Sequence, residues 1–440
     1  MYLTENKPYN ESYLYNEDSF ITSTERPSFF DFIFGFFIAA MLATNYSPYN
    51  DLVSNIGLGV SILFLFTLFV QRYHFQRELI VLLLLYGWTL MCSLLSDYRT
   101  LAFLSTFYLL KVQFVLLVVA LRCTSIARLV FYLFCLGIGC ITLVLPSLFT
   151  AAYLASDERL IGTVGQPNAM GSISSVSFVV WVSLFFVIKK WWKWIICPLF
   201  AVSSLRVLVL TGSRGSFLTA LAFLVVGVWF LWWQGRLGLK LFILVAASVF
   251  VVAFIHYMVE TQMLKRLAAL ASIFGFEVRG AEGETHAVRV EIMKTAISLF
   301  LESPFFGKGY GTFRMYSAYV YTHTTPFDML YGTGLIGTLL YYYVIISSWL
   351  VFRKAKKYFP FGRERVVINI CQALIFAQLV QGMALPYQSS KPHAVLSGVW
   401  LGMAWYMRRR GEATRYQVAE NYDVESYAEA GRPIGDVVSA

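Results

Sequence analysis

LVFYLFCLGIGCITLVLPSLFT, residues 129–150, holds no charged side chain, and Arg122 and Arg128 stand just ahead of it. A helix rises about 1.5 Å per residue, so roughly 20 such residues cross the ~30 Å hydrocarbon core of a bilayer. This run therefore reads as a transmembrane helix, and the chain repeats the pattern. Apolar runs lie near 28–46, 52–70, 79–95, 101–121, 129–150, 171–188, 194–210, 216–233, 241–257, 326–350, 366–385 and 393–407. Of 440 residues, 58% are hydrophobic and 14% charged, against about a quarter charged in an average soluble domain. One water-soluble core cannot hide that much apolar surface, and long runs in place of short alternating strands argue against a barrel. The expected fold is an all-α polytopic membrane protein with about 12 transmembrane helices.

The formal net charge is +10. Most basic residues fall in short loops between apolar runs, where they set topology and give no reason to expect nucleic acid. Taken alternately, one set of loops holds Arg72, Arg77, Arg122, Arg128, Lys189, Lys190, Lys193, Arg236, Lys240, the cluster from Arg353 to Arg365, and Arg408 to Arg410. The other set holds only Arg99, Arg159, Arg214 and Lys391 in its short loops. The positive-inside rule makes the first set cytoplasmic and places both termini inside. The expected organisation is a polar cytoplasmic segment 1–27, helices over 28–257, a large external loop 258–325, helices over 326–407 and a polar, mobile cytoplasmic tail 408–440. No cleavable signal peptide is expected, because the stretch through Arg26 is polar and acidic. The six cysteines show no Cys-x-x-Cys spacing, so neither a metal site nor a disulfide framework is expected.

The external loop carries most of the chemistry. His286 to Glu302 has the pattern of an amphipathic helix: Glu291, Lys294, Ser298 and Glu302 share one face, and Ile292, Met293, Ala296 and Phe300 the other. Arg289 falls in the middle of that apolar face and His286 near its edge. A buried guanidinium needs an anion, so Arg289 is either half of a structural ion pair or a phosphate clamp. Gly307-Lys308-Gly309-Tyr310-Gly311 is a tight turn and not a nucleotide loop, since no Lys-Ser or Lys-Thr pair follows and no strand precedes it. Thr325 and Asp328 resemble a capping box ahead of a helix that begins near Pro326. His323 sits just before that helix, suited either to acid–base work or to a structural role.

Other polar residues lie in or beside the spans. Arg214, in Ser213-Arg214-Gly215, stands on the side where a topology-setting charge is not expected. Arg206 lies earlier in the same apolar stretch, and Lys111 near the middle of the fourth span; each needs a partner or a wet cavity. Gln372, Gln378 and Gln381 suit hydrogen bonds between helices. Gln166 and Asn168, flanking Pro167, form a turn that is also a candidate sugar contact.

Together these residues resemble the O-antigen ligase/polymerase superfamily. The resemblance rests on Ser213-Arg214-Gly215; on Arg289 ahead of Pro304-Phe305-Phe306-Gly307-Lys308-Gly309; on His323 followed by Gly334-Leu335-Ile336-Gly337; and on Gln166-Pro167-Asn168. Many relatives have His-Asn or His-Ser-Asn where this chain has His323-Thr324-Thr325, and tryptophan where it has Met293. The resemblance implies a membrane-embedded glycosyltransferase of GT-C-like architecture in a bacterial inner membrane, working without metal or cofactor. The donor would be an undecaprenyl diphosphate-linked glycan at the periplasmic face, with Arg214 and Arg289 on the diphosphate and His323 as general base. Gln166, Asn168, Arg206 and His286 are further substrate-binding candidates. The acceptor is lipid A–core for a ligase, another lipid-linked repeat for a polymerase, or a protein. A lipid or polysaccharide transporter is the competing class, since transporters also place charges among broken helices.

Overall fold

The computed structural model describes residues 26–45, 47, 49–70, 77–149, 160–232 and 281–429. The expected span 241–257, residues 258–280 of the external loop, Arg72, Arg159, Arg236, Lys240 and the side chain of His286 lie outside the described residues. The described residues form helices and no strand. In chain order these are α1 (Phe29–Ala43), α2 (Asn50–Val70), α3 (Arg77–Leu95), α4 (Arg99–Arg122), α5 (Ile126–Phe149), α6 (Pro167–Val187), α7 (Lys193–Leu210), α8 (Arg214–Trp232), α9 (Ala281–Glu302), α10 (Thr325–Ala355), α11 (Gly362–Ala384) and α12 (Lys391–Glu429). Seven of them, α3 to α7 with α10 and α11, are long and apolar enough to cross a membrane. Helix α1 and Arg214–Phe230 of α8 are apolar but shorter. The chain is a multi-pass membrane protein, with Phe36, Leu63, Leu84, Leu104, Trp229 and Leu339 exposed on its flanks, where lipid replaces water as solvent. Helix α12 runs to Glu429, past the expected span end at residue 407, so residues 408–429 of the polar segment are helical.

Small residues set the closest contacts, as they do when lipid leaves packing as the main driving force between helices. Gly398 and Gly402 of α12 lie one turn apart, and a Cβ on them would stand 2.6 Å from Leu116 O and 2.5 Å from Ala120 O. The facing stretch of α4, Val115–Leu121, is buried throughout. Helices α3 and α10 pack together, as do α8 and α11, α6 and α7, and α1 and α5.

One end of the bundle is tied by ion pairs. Asp31 at the start of α1 is fully buried, with Arg122 Nη2 at 2.7 Å and Arg128 Nε at 3.4 Å. It also accepts from Tyr132 Oη at 2.7 Å and closes a capping box with Ser28. At the same end, Glu78 accepts from Arg408 and, at 2.6 Å, from Ser347 Oγ. Removing one partner of a buried pair typically costs about 3–5 kcal/mol, so these contacts firmly group the starts of α1 and α3 with the ends of α4 and α10. Arg122, Arg128 and Arg408 all belong to the strongly basic set, so these members of it meet at one end.

Candidate functional site

At the opposite end from the ion pairs, α9 and residues 303–324 cap the bundle. On α9, Ile292, Ala296 and Leu299 pack against Phe313 and Tyr331, with Val288, Tyr316, Tyr319 and Phe327 around them. Glu291, Lys294, Ser298 and Glu302 all face outward, as expected. The centre of the apolar face differs from the expected one. At 100° per residue the buried stripe centres on Ile292, which leaves Met293 partly exposed and puts Arg289 on the flank, exposed. The guanidinium is therefore not buried in apolar surface and bears no such desolvation cost.

After α9 the chain becomes a strap laid on α10. Lys308 N donates to Tyr331 O at 2.6 Å, Gly309 N to Gly332 O at 3.1 Å, and Leu335 N to Pro304 O at 2.8 Å. The glycine run takes positive φ at Gly307, Gly309 and Gly311, and a Cβ on Gly307 would lie 2.6 Å from Tyr331 O. Gly307 thus serves close approach to the α10 backbone, and Gly309 and Gly311 make room for the Ser96 and Ser105 side chains. Helix α10 is broken where the strap crosses it, at Gly334 with φ 67° and ψ −168°. Trp88 Nε1 donates to Thr333 O at 2.9 Å beside this break, and the Trp88 ring stacks on Phe306.

His323 closes the cap. It has φ 63°, the only positive φ at a non-glycine among the described residues, in a region that costs an ordinary residue about 1–2 kcal/mol. Its half-buried ring lies 4.4 Å, centre to centre, from that of Tyr321. Burial first, and the charge of Arg289 second, hold its imidazole below the ordinary pKa of 6.5. The structure therefore brings Arg289 and His323 within electrostatic reach. The expected Thr325–Asp328 capping box does not form: Thr324 is the N-cap, with no side-chain cap bond. The reason is competition from the loop between α11 and α12. Thr325 Oγ1 donates to Leu385 O at 3.3 Å, and Gln388 Nε2 donates to Thr325 O at 3.3 Å. Asp328 instead accepts from Thr322 Oγ1 at 3.5 Å.

Arg214 is the half-buried first residue of α8. The next residue, Gly215, sits so close to the end of α11 that a Cβ there would lie 2.2 Å from Ala384 Cβ. Leu385, which follows Ala384, is the residue holding Thr325, so the Arg214 turn and the His323 corner meet the same short segment. Gly171 of α6 abuts Ser213, which brings the exposed Gln166 and half-buried Asn168 at the start of α6 to this end. Arg206 is not part of the group; it lies exposed on the flank of α7. Lys111 is the thirteenth of the 24 residues of α4, at mid-helix as expected, and donates to Asn55 Oδ1 of α2 at 3.1 Å.

Several polar residues at this end have no simple sequence signal. Tyr86 Oη donates to Gln113 Oε1 at 3.0 Å, Gln113 Nε2 to Gln388 O at 2.6 Å, and Tyr341 Oη to Tyr387 Oη at 2.9 Å. With His393, whose Nε2 is 3.0 Å from Ser172 Oγ, they form the polar end of a cavity of about 60 Å³ between α3, α4, α10 and α12. Thr324 Oγ1, Gln381 Nε2, Gln388 Oε1 and His393 Nδ1 are buried with no hydrogen-bond partner among the described residues. Buried orphans of this kind are rare in folded proteins and often mark where something else binds. Among the described residues no three His, Cys, Asp or Glu side chains gather as a metal site.

A helical bundle with apolar flanks, a helical cap and a cationic corner beneath it defines a multi-pass membrane protein with a candidate site at one end of the bundle. Residues 199–342 match the family model described as O-antigen ligase. The matched stretch runs from α7 into α10 and contains Arg206, Arg214, His286, Arg289 and His323; Gln166 and Asn168 precede it. No curated protein matches the chain. The match supports a membrane glycosyltransferase of the ligase or polymerase type.

Proposed function

We propose that the protein transfers a glycan from undecaprenyl diphosphate to lipid A–core, as an inverting, metal-independent O-antigen ligase. It would do so at the periplasmic face of a bacterial inner membrane, with about 12 spans, GT-C-like architecture and both termini in the cytoplasm. The observation that carries this reading is His323 in left-handed backbone, under the charge of Arg289, in a corner tied to the segment that meets the Arg214 turn.

In the reaction the acceptor hydroxyl oxygen bonds to the anomeric carbon as the bond from that carbon to the phosphate oxygen breaks. His323 takes the hydroxyl proton. Its depressed pKa keeps the imidazole neutral at pH 7, the form that can act as base. The leaving diphosphate keeps the electron pair, and Arg214 and Arg289 stabilise its growing charge. A single displacement inverts the anomeric centre. The orphaned Thr324 hydroxyl and Gln381 amide are donors well suited to the same oxygens.

Replacing Arg214 with glutamine should lower transfer by about 10²-fold, the usual loss when one charge-stabilising donor is removed. The measurement is transfer from lipid-linked glycan to lipid A–core by purified protein. Unchanged transfer would remove Arg214 from the donor site. Long chains built from lipid-linked repeats alone, without lipid A–core, would replace the ligase with a polymerase.

A further inference from the structure

Lys391 is the first residue of α12 and is 2% exposed. Its ammonium donates to Asn50 Oδ1 and, at 2.6 Å, to Ser54 Oγ, both on α2. Lys111 of α4 donates to the next residue of α2, Asn55. The two ammonium groups are close enough to repel one another. Each is thus held by neutral acceptors, and no ion pair to either is present among the described residues. Asp51, exposed in the first turn of α2, is the nearby carboxylate, so the cluster keeps a net positive charge. Lys391 also stands at the N-terminus of a helix, where the backbone dipole disfavours a cation, and the N-terminus of α2 lies beside it. Two cations and two helix N-termini facing one carboxylate leave a place for one further anion.

The surroundings identify its carrier. Leu52, Ile56, Phe107 and Tyr108 are exposed beside the cluster on α2 and α4, so the approach is lined for hydrocarbon chains. We propose that Lys111 and the first turn of α2, with the buried Lys391 adding positive charge behind them, bind the phosphomonoester head group of a membrane lipid. This site is separate from the His323 corner. The 385–390 loop divides them: Gln388 reaches Thr325 on one side, and Lys391 faces α2 on the other.

The test follows thermal unfolding of the full-length protein in dodecylmaltoside during titration with dioleoyl phosphatidic acid, dioleoyl phosphatidylcholine or inorganic phosphate. Phosphatidic acid should raise the melting temperature saturably, and the other two should not at the same concentration. Lys111→Gln, at a half-exposed position that tolerates the change, should weaken the phosphatidic acid midpoint about tenfold, and Lys111→Arg should restore it. Lys391→Gln, which removes the charge behind the site, should also weaken the midpoint; if that variant proves unfolded without lipid, the Lys111 pair decides. Arg214→Gln should leave the midpoint unchanged, which separates this site from the proposed diphosphate site and keeps the result independent of glycan transfer. A midpoint indifferent to Lys111→Gln overturns the proposal. So does equal stabilisation by phosphatidylcholine or by inorganic phosphate, or a loss of binding in Arg214→Gln as large as that in Lys111→Gln.

Discussion

Alanine at His323 lowers glycan transfer by about 10²–10⁴-fold, the usual contribution of a positioned base, and leaves the melting temperature of the protein nearly unchanged. The ring is half-buried and packs chiefly on Tyr321, so little packing is lost. The same assay read against pH gives a second check. Burial and Arg289 both hold the imidazole below its ordinary value, so the acidic limb of the wild-type profile falls below pH 6.5. Arg289→Gln removes one of the two causes and moves the limb upward. For stability the sign is the same. The unfolded chain takes up this proton more readily than the folded one, so His323 costs stability as pH falls below 6.5 and has no such effect at higher pH. A wild-type limb above 6.5, or one that Arg289→Gln moves downward, contradicts the assignment of His323 as the base.

Gly334→Ala disrupts the cap as a whole. The residue's φ of 67° and ψ of −168° lie in a region essentially confined to glycine. An added Cβ would meet Phe305 O at 2.2 Å and Phe305 C at 2.4 Å. Neither is a side chain that can swing aside. The strap would have to lift, breaking the Leu335 to Pro304 and Lys308 to Tyr331 hydrogen bonds. The expected loss is about 3 kcal/mol or more, seen as a lower melting temperature and as faster protease cleavage in residues 303–324. Alanine at Gly87, where a Cβ meets nothing within 4 Å, is the matched control. Equal stability in the two variants would mean that the break in α10 is not needed for the strap.

The bundle was legible in the sequence because hydrophobic length is a simple signal. Each expected span within the described residues coincides with a helix, and α5 at Ile126–Phe149 differs from the run 129–150 by a few residues. The cap was legible only in part. Its helix and outward face follow from spacing, but the inward face depends on what packs there. Phe313 and Tyr331 draw the buried stripe toward Ile292 and Leu299, and both lie outside the helix whose spacing was read. The Thr325–Asp328 box failed for a similar reason, since local geometry allowed it and Leu385, 60 positions away, took the hydroxyl. The candidate residues Arg214, Arg289 and His323 came from side of membrane, residue type and the family resemblance, and the link between the Arg214 turn and the His323 corner runs through the end of α11, which no short motif announces.

All six cysteines are buried free thiols, which makes the natural chain a silent background for chemical labelling. Water-soluble maleimides should leave it unmodified, so one new thiol reports its own surroundings without a cysteine-free variant. A cysteine at exposed Arg314, beside the strap, and another at exposed Lys357, beyond the end of α10, form a pair that reads sidedness. In intact cells the reagent should reach the first and spare the second until the membrane is opened.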